Sequence, residues 1–142
     1  MITKKKLLVI IIGLALMAGC ATTPKEKPFE VKVWGGLQVS IAAYDAAMKS
    51  LKELYATGAI STAAAQKAWD AGEAFYLAQK AGITALRTYT EVKTAGNQQA
   101  LNLAIAQAGA RLAGFTALVT PFIAKHLVDD LNDAQTKLKE VK

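Results

Sequence analysis

The sequence is poor in residues that cross-link or interrupt a chain: among 142 residues there are one cysteine, three prolines and one histidine. A single cysteine excludes an intramolecular disulfide, so the fold must be stabilised by packing of apolar side chains. Few prolines and abundant alanine favour helices over sheets, because alanine loses the least on entering a helix. The net charge of +6 includes three lysines at positions 4–6; the chain after residue 19 carries 14 basic and 11 acidic side chains, a net charge of +3. This charge is too mild and too dispersed to indicate a nucleic-acid partner.

Motifs for catalysis and for cofactor binding are also missing. The sequence contains no phosphate-binding loop, no G-x-G-x-x-G, no H-E-x-x-H and no G-x-S-x-G nucleophile elbow. Catalysis usually needs a nucleophile or metal, a base and a charge-stabilising partner in one cleft. We therefore expect that the chain is not an enzyme and that it takes no cofactor.

One histidine lies near two carboxylates at helical spacing. His126, Asp130 and Asp133 are separated by steps of four and three, which would place them along one flank of a helix. At most, these three side chains supply half of the ligands that a metal site needs. Calcium takes more oxygen ligands, and zinc usually takes more nitrogen or sulfur ligands. The favoured interpretation is a polar flank in which Asp133 pairs with Lys137.

The first 19 residues have the three parts of a secretory signal. Lysines occupy positions 4–6, an apolar stretch of 11 residues follows at 7–17, and the small residues Ala18 and Gly19 come next. At ~1.5 Å per residue this stretch is too short to cross a ~30 Å hydrocarbon core. We predict that residues 1–19 are a signal peptide.

The segment that ends this leader, 16–20 (LMAGC), resembles the lipobox of bacterial lipoproteins, with Met17 where the pattern usually has leucine. The resemblance implies cleavage before Cys20 and attachment of acyl chains such as palmitate to that cysteine. Two or three chains would anchor the protein stably to membrane lipid, since each buried CH₂ contributes ~0.8 kcal/mol. Ala21 after the cysteine, rather than aspartate, implies sorting to the outer membrane, facing the periplasm, in a host with two membranes. The alternative is an ordinary signal peptide that leaves Cys20 as a free thiol.

The remainder divides into a tether and one domain. Residues 20–32 are polar and contain Pro24 and Pro28. This composition predicts a short flexible tether. Residues 33–142 carry apolar seams at helical spacing. Three seams are regular: Leu37, Ile41, Tyr44, Met48, Leu51 and Tyr55; then Leu101, Ile105, Ala108, Leu112, Phe115 and Val119; then Leu127, Leu131, Ala134, Leu138 and Val141. A fourth, less regular face contains Trp69, Gly72, Phe75, Tyr76, Ile83, Leu86 and Tyr89.

Turn and capping residues predict the limits of these helices. Gly58 should end the first helix, and Ser61 or Thr62 should cap a second helix that runs to about residue 92. Asn97 is the candidate N-cap of the third helix. Thr120 with Pro121 would open a fourth helix after a corner. Short loops favour antiparallel neighbours, so we expect an all-α, up-and-down bundle of three to four helices.

The segment 97–124 is unusual because Arg111 is its only charged residue. It holds small residues at the spacing that lets helices approach closely, in membranes or in water: Ala104 with Ala108, and Ala106 with Ala110 and Gly114. A mid-span arginine is costly in a bilayer. A tightly packed bundle helix or an oligomer interface is therefore favoured, and membrane contact is the alternative.

Together these features predict a lipid-anchored protein of the cell envelope that acts as a non-catalytic interaction or scaffolding module. Its partners would be membrane lipid through Cys20 and either an envelope protein or a second copy of the chain. The alternative function is a membrane-active protein, such as a phage-encoded exclusion or lysis factor, in which segment 97–124 engages the bilayer.

Overall fold

The computed structural model describes residues 27–141, which form an up-and-down bundle of four helices. These are α1 (Phe29–Ala56), α2 (Thr62–Glu91), α3 (Ala95–Val119) and α4 (Lys125–Lys139). Helices adjacent in sequence pack side by side, α4 returns to pack against α1, and α1 and α3 meet across the diagonal. The connections are three to five residues long. The predicted all-α, up-and-down bundle is confirmed, with four helices in the described part of the chain.

The first helix begins earlier than the sequence predicts. Residues 29–32 are already helical, so the predicted boundary between tether and domain at residue 32 is wrong by four residues. Pro28 occupies the N-cap position. The first turn is held against the end of α2, because Phe29 packs edge to face on Tyr89 with ring centroids 5.8 Å apart and Glu30 forms an ion pair with Lys93.

Gly58 ends α1 as predicted. It adopts a positive φ of 73°, which glycine reaches without the steric penalty of a side chain. Its N–H donates to the carbonyl of Tyr55 at 3.0 Å, and the N–H of Ala59 donates to Leu54 at 2.8 Å. This pair of bonds is a Schellman motif, which satisfies carbonyls left open at a helix C-terminus.

Hydroxyl side chains cap the next two helices. Ser61 accepts a hydrogen bond from the N–H of Ala64 at 3.2 Å, which selects Ser61 over Thr62. Thr94 caps α3 by accepting from the N–H of Asn97 at 3.2 Å. The predicted N-cap at Asn97 is therefore wrong by three residues. Asn97 lies in the first turn, where its side chain donates back to the carbonyl of Val92 at 2.7 Å.

The predicted corner at Pro121 is present, but the predicted start of the fourth helix is wrong. Thr120 is the C-cap of α3 and not the N-cap of α4. The chain turns through residues 120–123, and α4 begins at Lys125. This extra turn places Ile123 in the core, where it is 8% exposed.

The predicted seams form most of the core. Leu51 and Leu112 are completely buried, as is the large aromatic pair Phe75 and Phe115. The seam of α3 is buried at all six predicted positions. Two predicted core tyrosines, Tyr55 and Tyr76, are instead exposed. The buried apolar residues are Val33, Leu37, Ala43, Ala47, Leu51, Ile60, Ala65, Ala68, Phe75, Leu86, Leu101, Ile105, Ala108, Leu112, Phe115, Val119, Ile123, Leu131, Ala134, Leu138 and Val141.

Two glycines allow α1 and α2 to pack closely. A Cβ atom at Gly72 would lie 3.1 Å from the ring of Tyr44, and one at Gly82 would lie 3.2 Å from Leu37. Both distances are shorter than an ordinary carbon–carbon contact. Close packing against α1 therefore explains these two glycines of α2.

A buried polar contact joins the same two helices. The side-chain amide of Gln79 donates to the backbone carbonyl of Leu37 at 2.6 Å. The Ser40 hydroxyl lies 2.9 Å from that carbonyl and 3.1 Å from Oε1 of Gln79. Buried amides cost free energy unless they are hydrogen-bonded, and this arrangement satisfies Gln79 in the interior. It fixes α1 and α2 relative to one another.

Candidate functional site

Cys20, the predicted lipidation site, lies outside the described residues, as does the predicted signal peptide. The described chain starts at Lys27, seven residues after Cys20. Seven extended residues span at most ~25 Å. The distance in space between Cys20 and the first described residue, Lys27, is therefore at most ~25 Å.

The structure does not gather the weak metal candidates into a site. His126 and Asp130 are exposed on α4. Asp133 pairs with Lys137 at 2.8 Å, the ion pair that the sequence predicted. Within residues 27–141, no three His, Cys, Asp or Glu side chains are grouped so that they could hold a metal ion. The flank behaves as a solvated polar surface.

Helix α3 separates the two sets of small residues that the sequence grouped together. Ala108 is buried and Ala104 is half-buried, on the side that faces the bundle. Ala106, Ala110 and Gly114 are exposed on the opposite side. The first set serves packing within the bundle, and the second set is left on the surface.

The exposed side of α3 is apolar along most of its length. We call it the outer face of α3 and define it by Leu103, Ala106, Ala110, Gly114, Ala117 and Leu118. Leu103 is 59% exposed and Leu118 is 40% exposed. A Cβ atom at Gly114 would touch no other part of the described chain. Gln107 is exposed within this face, Arg111 lies at its margin, and Arg111 is the only charged residue of α3.

Two grooves run along the outer face of α3. One, of about 580 Å³, lies between α3 and the end of α4, where Gly109 and Ala113 leave space beside Leu138. The other, of about 410 Å³, lies between the end of α3 and the start of α2, beside Leu118 and Phe122. The outer face of α3 therefore has a groove with apolar walls on each side. Such a surface suits an apolar partner.

A second exposed apolar area occurs where α1 begins. Trp34 is 45% exposed and Val31 is 50% exposed, although Val33 between them is completely buried. Gly35 and Gly36, which follow Trp34, both lie inside α1. A Cβ atom at Gly36 would contact Leu138 at 3.4 Å, so this glycine lets α4 approach α1.

An ion pair links the start of α1 to the connection between α2 and α3 beside this area. The side chains of Lys93 and Glu30 are in direct contact. The hydrogen bond from Lys93 lowers the pKa of Glu30, and the same bond raises the pKa of Lys93. Both groups therefore stay charged across the physiological range of pH.

No helix of residues 27–141 combines the length and the apolarity that crossing a membrane requires. Comparison with protein-family models, with curated proteins and with solved structures finds no match to this chain. The case for function therefore depends on the residues and on the surfaces described above.

The low charge of α3 is visible in the sequence, but the exposure of an apolar side opposite its buried seam was not predicted. The seam from Leu101 to Val119 identifies the buried side of α3. Because successive residues of an α-helix are rotated by 100° about its axis, the residues on the opposite side can be derived from this seam. Leu103 and Leu118 are predictable in this way. The exposure of Trp34 could not, because it depends on where α4 and α2 pass on either side of α1.

Proposed function

We propose that the protein is a lipid-anchored, non-catalytic interaction module of the cell envelope, and that the outer face of α3 binds an apolar helix of another envelope protein. The observation that carries the proposal is the exposure of this nearly uncharged face on a helix whose inner seam is already filled. A helix that packs in a groove needs an apolar stripe with small residues at close contact. Ala106, Ala110 and Gly114 supply such a stripe.

The anchor is supported by the leader and the lipobox-like segment that ends at Cys20. A lipid on Cys20 would confine the module to a membrane surface, where its encounters with other envelope proteins become frequent. Confinement raises the effective concentration of a partner without any new contact. A small contact face such as that of α3 can then be sufficient.

Lipidation is tested by metabolic labelling with a fatty acid that carries a chemical tag. The wild-type protein should incorporate the label, and Cys20→Ser should abolish it and block normal processing. Ser50→Cys in the Cys20→Ser background is the matched control, because it restores one cysteine at a position outside the lipobox. A wild-type protein that matures normally without label would refute the anchor.

Docking on α3 is tested by placing a photo-crosslinking residue at Leu103 of the full chain in cells. We expect one discrete protein adduct that Ala110→Glu reduces by about tenfold or more, because a carboxylate would be buried against an apolar partner. The same crosslinker at Lys49, exposed on α1, should give no such adduct.

The other outcomes of this experiment separate the alternatives. An adduct with twice the mass of the chain would identify a second copy as the partner. An adduct to lipid would favour the membrane-active function of segment 97–124. Equal adducts from Leu103 and Lys49 would refute the outer face of α3 as a specific surface.

A further inference from the structure

Basic side chains are concentrated at the end of the bundle where α1 begins. The contact of Gln79 with Ser40 marks a level across α1 and α2, and on α3 this level falls one turn after Ile105, which lies near Gly82. On α4 it falls between Asp133 and Lys137, which line grooves on the two sides of Val39. On the side nearer Lys27, residues 27–40, 79–109 and 134–141 carry seven basic and three acidic side chains. The rest of the described chain carries five basic and seven acidic side chains. The two ends therefore have opposite net charge.

The same end carries the exposed tryptophan. We define the anchor-proximal patch by Lys27, Val31, Trp34, Gly35, Arg87 and Lys137. Trp34 and Val31 project from the first turns of α1 and are about half exposed. Aromatic rings with neighbouring lysines and arginines are typical of surfaces at the boundary between water and lipid.

Open clefts border Val31 on both sides, and Trp34 lines one of them. A cleft of about 480 Å³ between α1 and α4 has Lys27 and Lys137 in its wall. Gly35 lines this cleft, and a Cβ atom there would touch no other part of the described chain. A cleft of about 420 Å³ between α1 and α2 lies beside Arg87, with Ile83 and Leu86 in its wall. Both clefts therefore combine apolar walls with basic side chains. Each also has one acidic side chain in its wall: Glu140 in the first, and Glu30, which is paired with Lys93, in the second.

We propose that the anchor-proximal patch rests on an anionic phospholipid surface, with Trp34 and Val31 in the headgroup region and the basic side chains on lipid phosphates. The inference rests on the proposed lipid anchor. The chain between Cys20 and Lys27 reaches at most ~25 Å, so the anchor brings this end of the bundle to the bilayer. Charge complementarity then selects an anionic surface over a neutral one.

This orientation is compatible with docking on α3. Helices α1 and α3 meet across the diagonal of the bundle, so their outer sides point in opposite directions. A bundle that lies on lipid through the start of α1 presents the outer face of α3 away from the membrane. The lipid and the protein partner therefore occupy separate surfaces.

The patch can be tested without acylation, because Cys20 is the only cysteine. The mature chain 20–142 is coupled through Cys20 to a maleimide lipid in vesicles, and Trp34 is followed by quenching with brominated lipids in a Trp69→Phe background. Circular dichroism confirms that each variant is folded. We expect strong quenching in phosphatidylcholine mixed with phosphatidylglycerol, and weak quenching in phosphatidylcholine alone or at high salt.

Charge variants then localise the contact. With uncoupled Cys20→Ser chains, Lys27→Glu combined with Arg87→Glu should weaken binding to phosphatidylglycerol vesicles by about tenfold or more. The matched control is Lys49→Glu combined with Lys67→Glu, which changes the net charge by the same amount at the other end of the bundle. This pair should weaken binding by less than about threefold. Trp34→Ser should also weaken binding, and Ala110→Glu should not.

Three results would overturn the proposal: equal loss with both charge pairs, loss with Ala110→Glu but not with Trp34→Ser, or unquenched Trp34 on coupled anionic vesicles. The proposed anchor is judged separately by fatty-acid labelling of Cys20 in cells. A labelled protein whose coupled form leaves Trp34 unquenched would refute the patch and keep the anchor. An unlabelled protein that binds anionic vesicles through Trp34 would refute the anchor instead.

Discussion

Leu51→Ala and Leu112→Ala should each lower the free energy of unfolding by about 2–5 kcal/mol, because each change leaves a cavity in a packed interior. Both leucines are completely buried, one on α1 and one on α3. Urea denaturation followed by circular dichroism measures the effect. A loss of this size is a large part of the 5–15 kcal/mol that typically stabilises a domain.

The same chain offers a matched control on the other side of α3. Leu103→Ala and Leu118→Ala remove the same atoms from side chains that are 59% and 40% exposed. Their expected cost is below about 1 kcal/mol, because little apolar surface returns to water and no cavity forms. Equal costs for Leu112 and Leu103 would contradict the assignment of the inner and outer sides of α3.

This contrast also bears on function. Exposed leucines usually persist in a soluble domain only singly, whereas Leu103 and Leu118 lie on one continuous face with alanine and glycine between them. If both can be truncated without loss of stability, the folding of the isolated bundle does not require them. The proposed docking on the outer face of α3 would then give these two leucines a role outside the folding of the bundle.

The helices could be predicted from the sequence because the dominant signals are local. The seam from Leu101 to Val119 repeats at steps of four and three, and all of its positions are buried. Gly58 and Ser61 end and begin helices as their backbone chemistry predicts. In each case one residue and its near neighbours along the chain determine the outcome.

The errors arose where a tertiary contact outweighs a local preference. The start of α1 at Phe29 depends on Tyr89, sixty residues away, and on the ion pair between Glu30 and Lys93. Near Pro121 the local signal favours an immediate helix, but the chain takes another turn and Ile123 reaches the core. The error at the N-cap of α3 is of another kind, because both candidates are local: Thr94 caps the helix, and Asn97 bonds back to Val92 from inside the first turn.

The candidate surfaces were predictable only in part. The low charge of segment 97–124 is a property of the sequence, and α3 includes most of this segment. The anchor-proximal patch combines Trp34 on α1 with Arg87 on α2 and Lys137 on α4. These residues are brought to one end by the topology of the bundle, so periodicity within a single helix cannot reveal them.

Gln79→Glu should destabilise the bundle by about 3–5 kcal/mol at neutral pH, because it places an ionised carboxylate in the core. Gln79 is 3% exposed, and its amide nitrogen lies 2.6 Å from the carbonyl oxygen of Leu37. In the variant, a carboxylate oxygen would face that carbonyl, and two acceptors repel. The change leaves the volume of the side chain almost unaltered, so the loss reports charge and hydrogen bonding rather than packing.

The destabilisation should depend on pH in a defined direction. Burial raises the pKa of the introduced carboxyl in the folded state above its ordinary value of about 4.3. Below that value the group is protonated in both states, so the charge penalty is absent and its O–H can donate to Leu37. As the pH rises from about 4.3 to the folded pKa, the unfolded chain ionises first and stability falls. Above the folded pKa the penalty is constant.

Urea unfolding of the wild type and of Gln79→Glu at pH 4 and pH 7 measures this difference. Gln38→Glu is the matched control, since Gln38 is exposed on α1 and its change should cost less than about 0.5 kcal/mol at either pH. A Gln79→Glu protein as stable as the wild type at pH 7 would show that water reaches this position. The contact between Gln79 and Leu37 would then not be the buried link that holds α1 against α2.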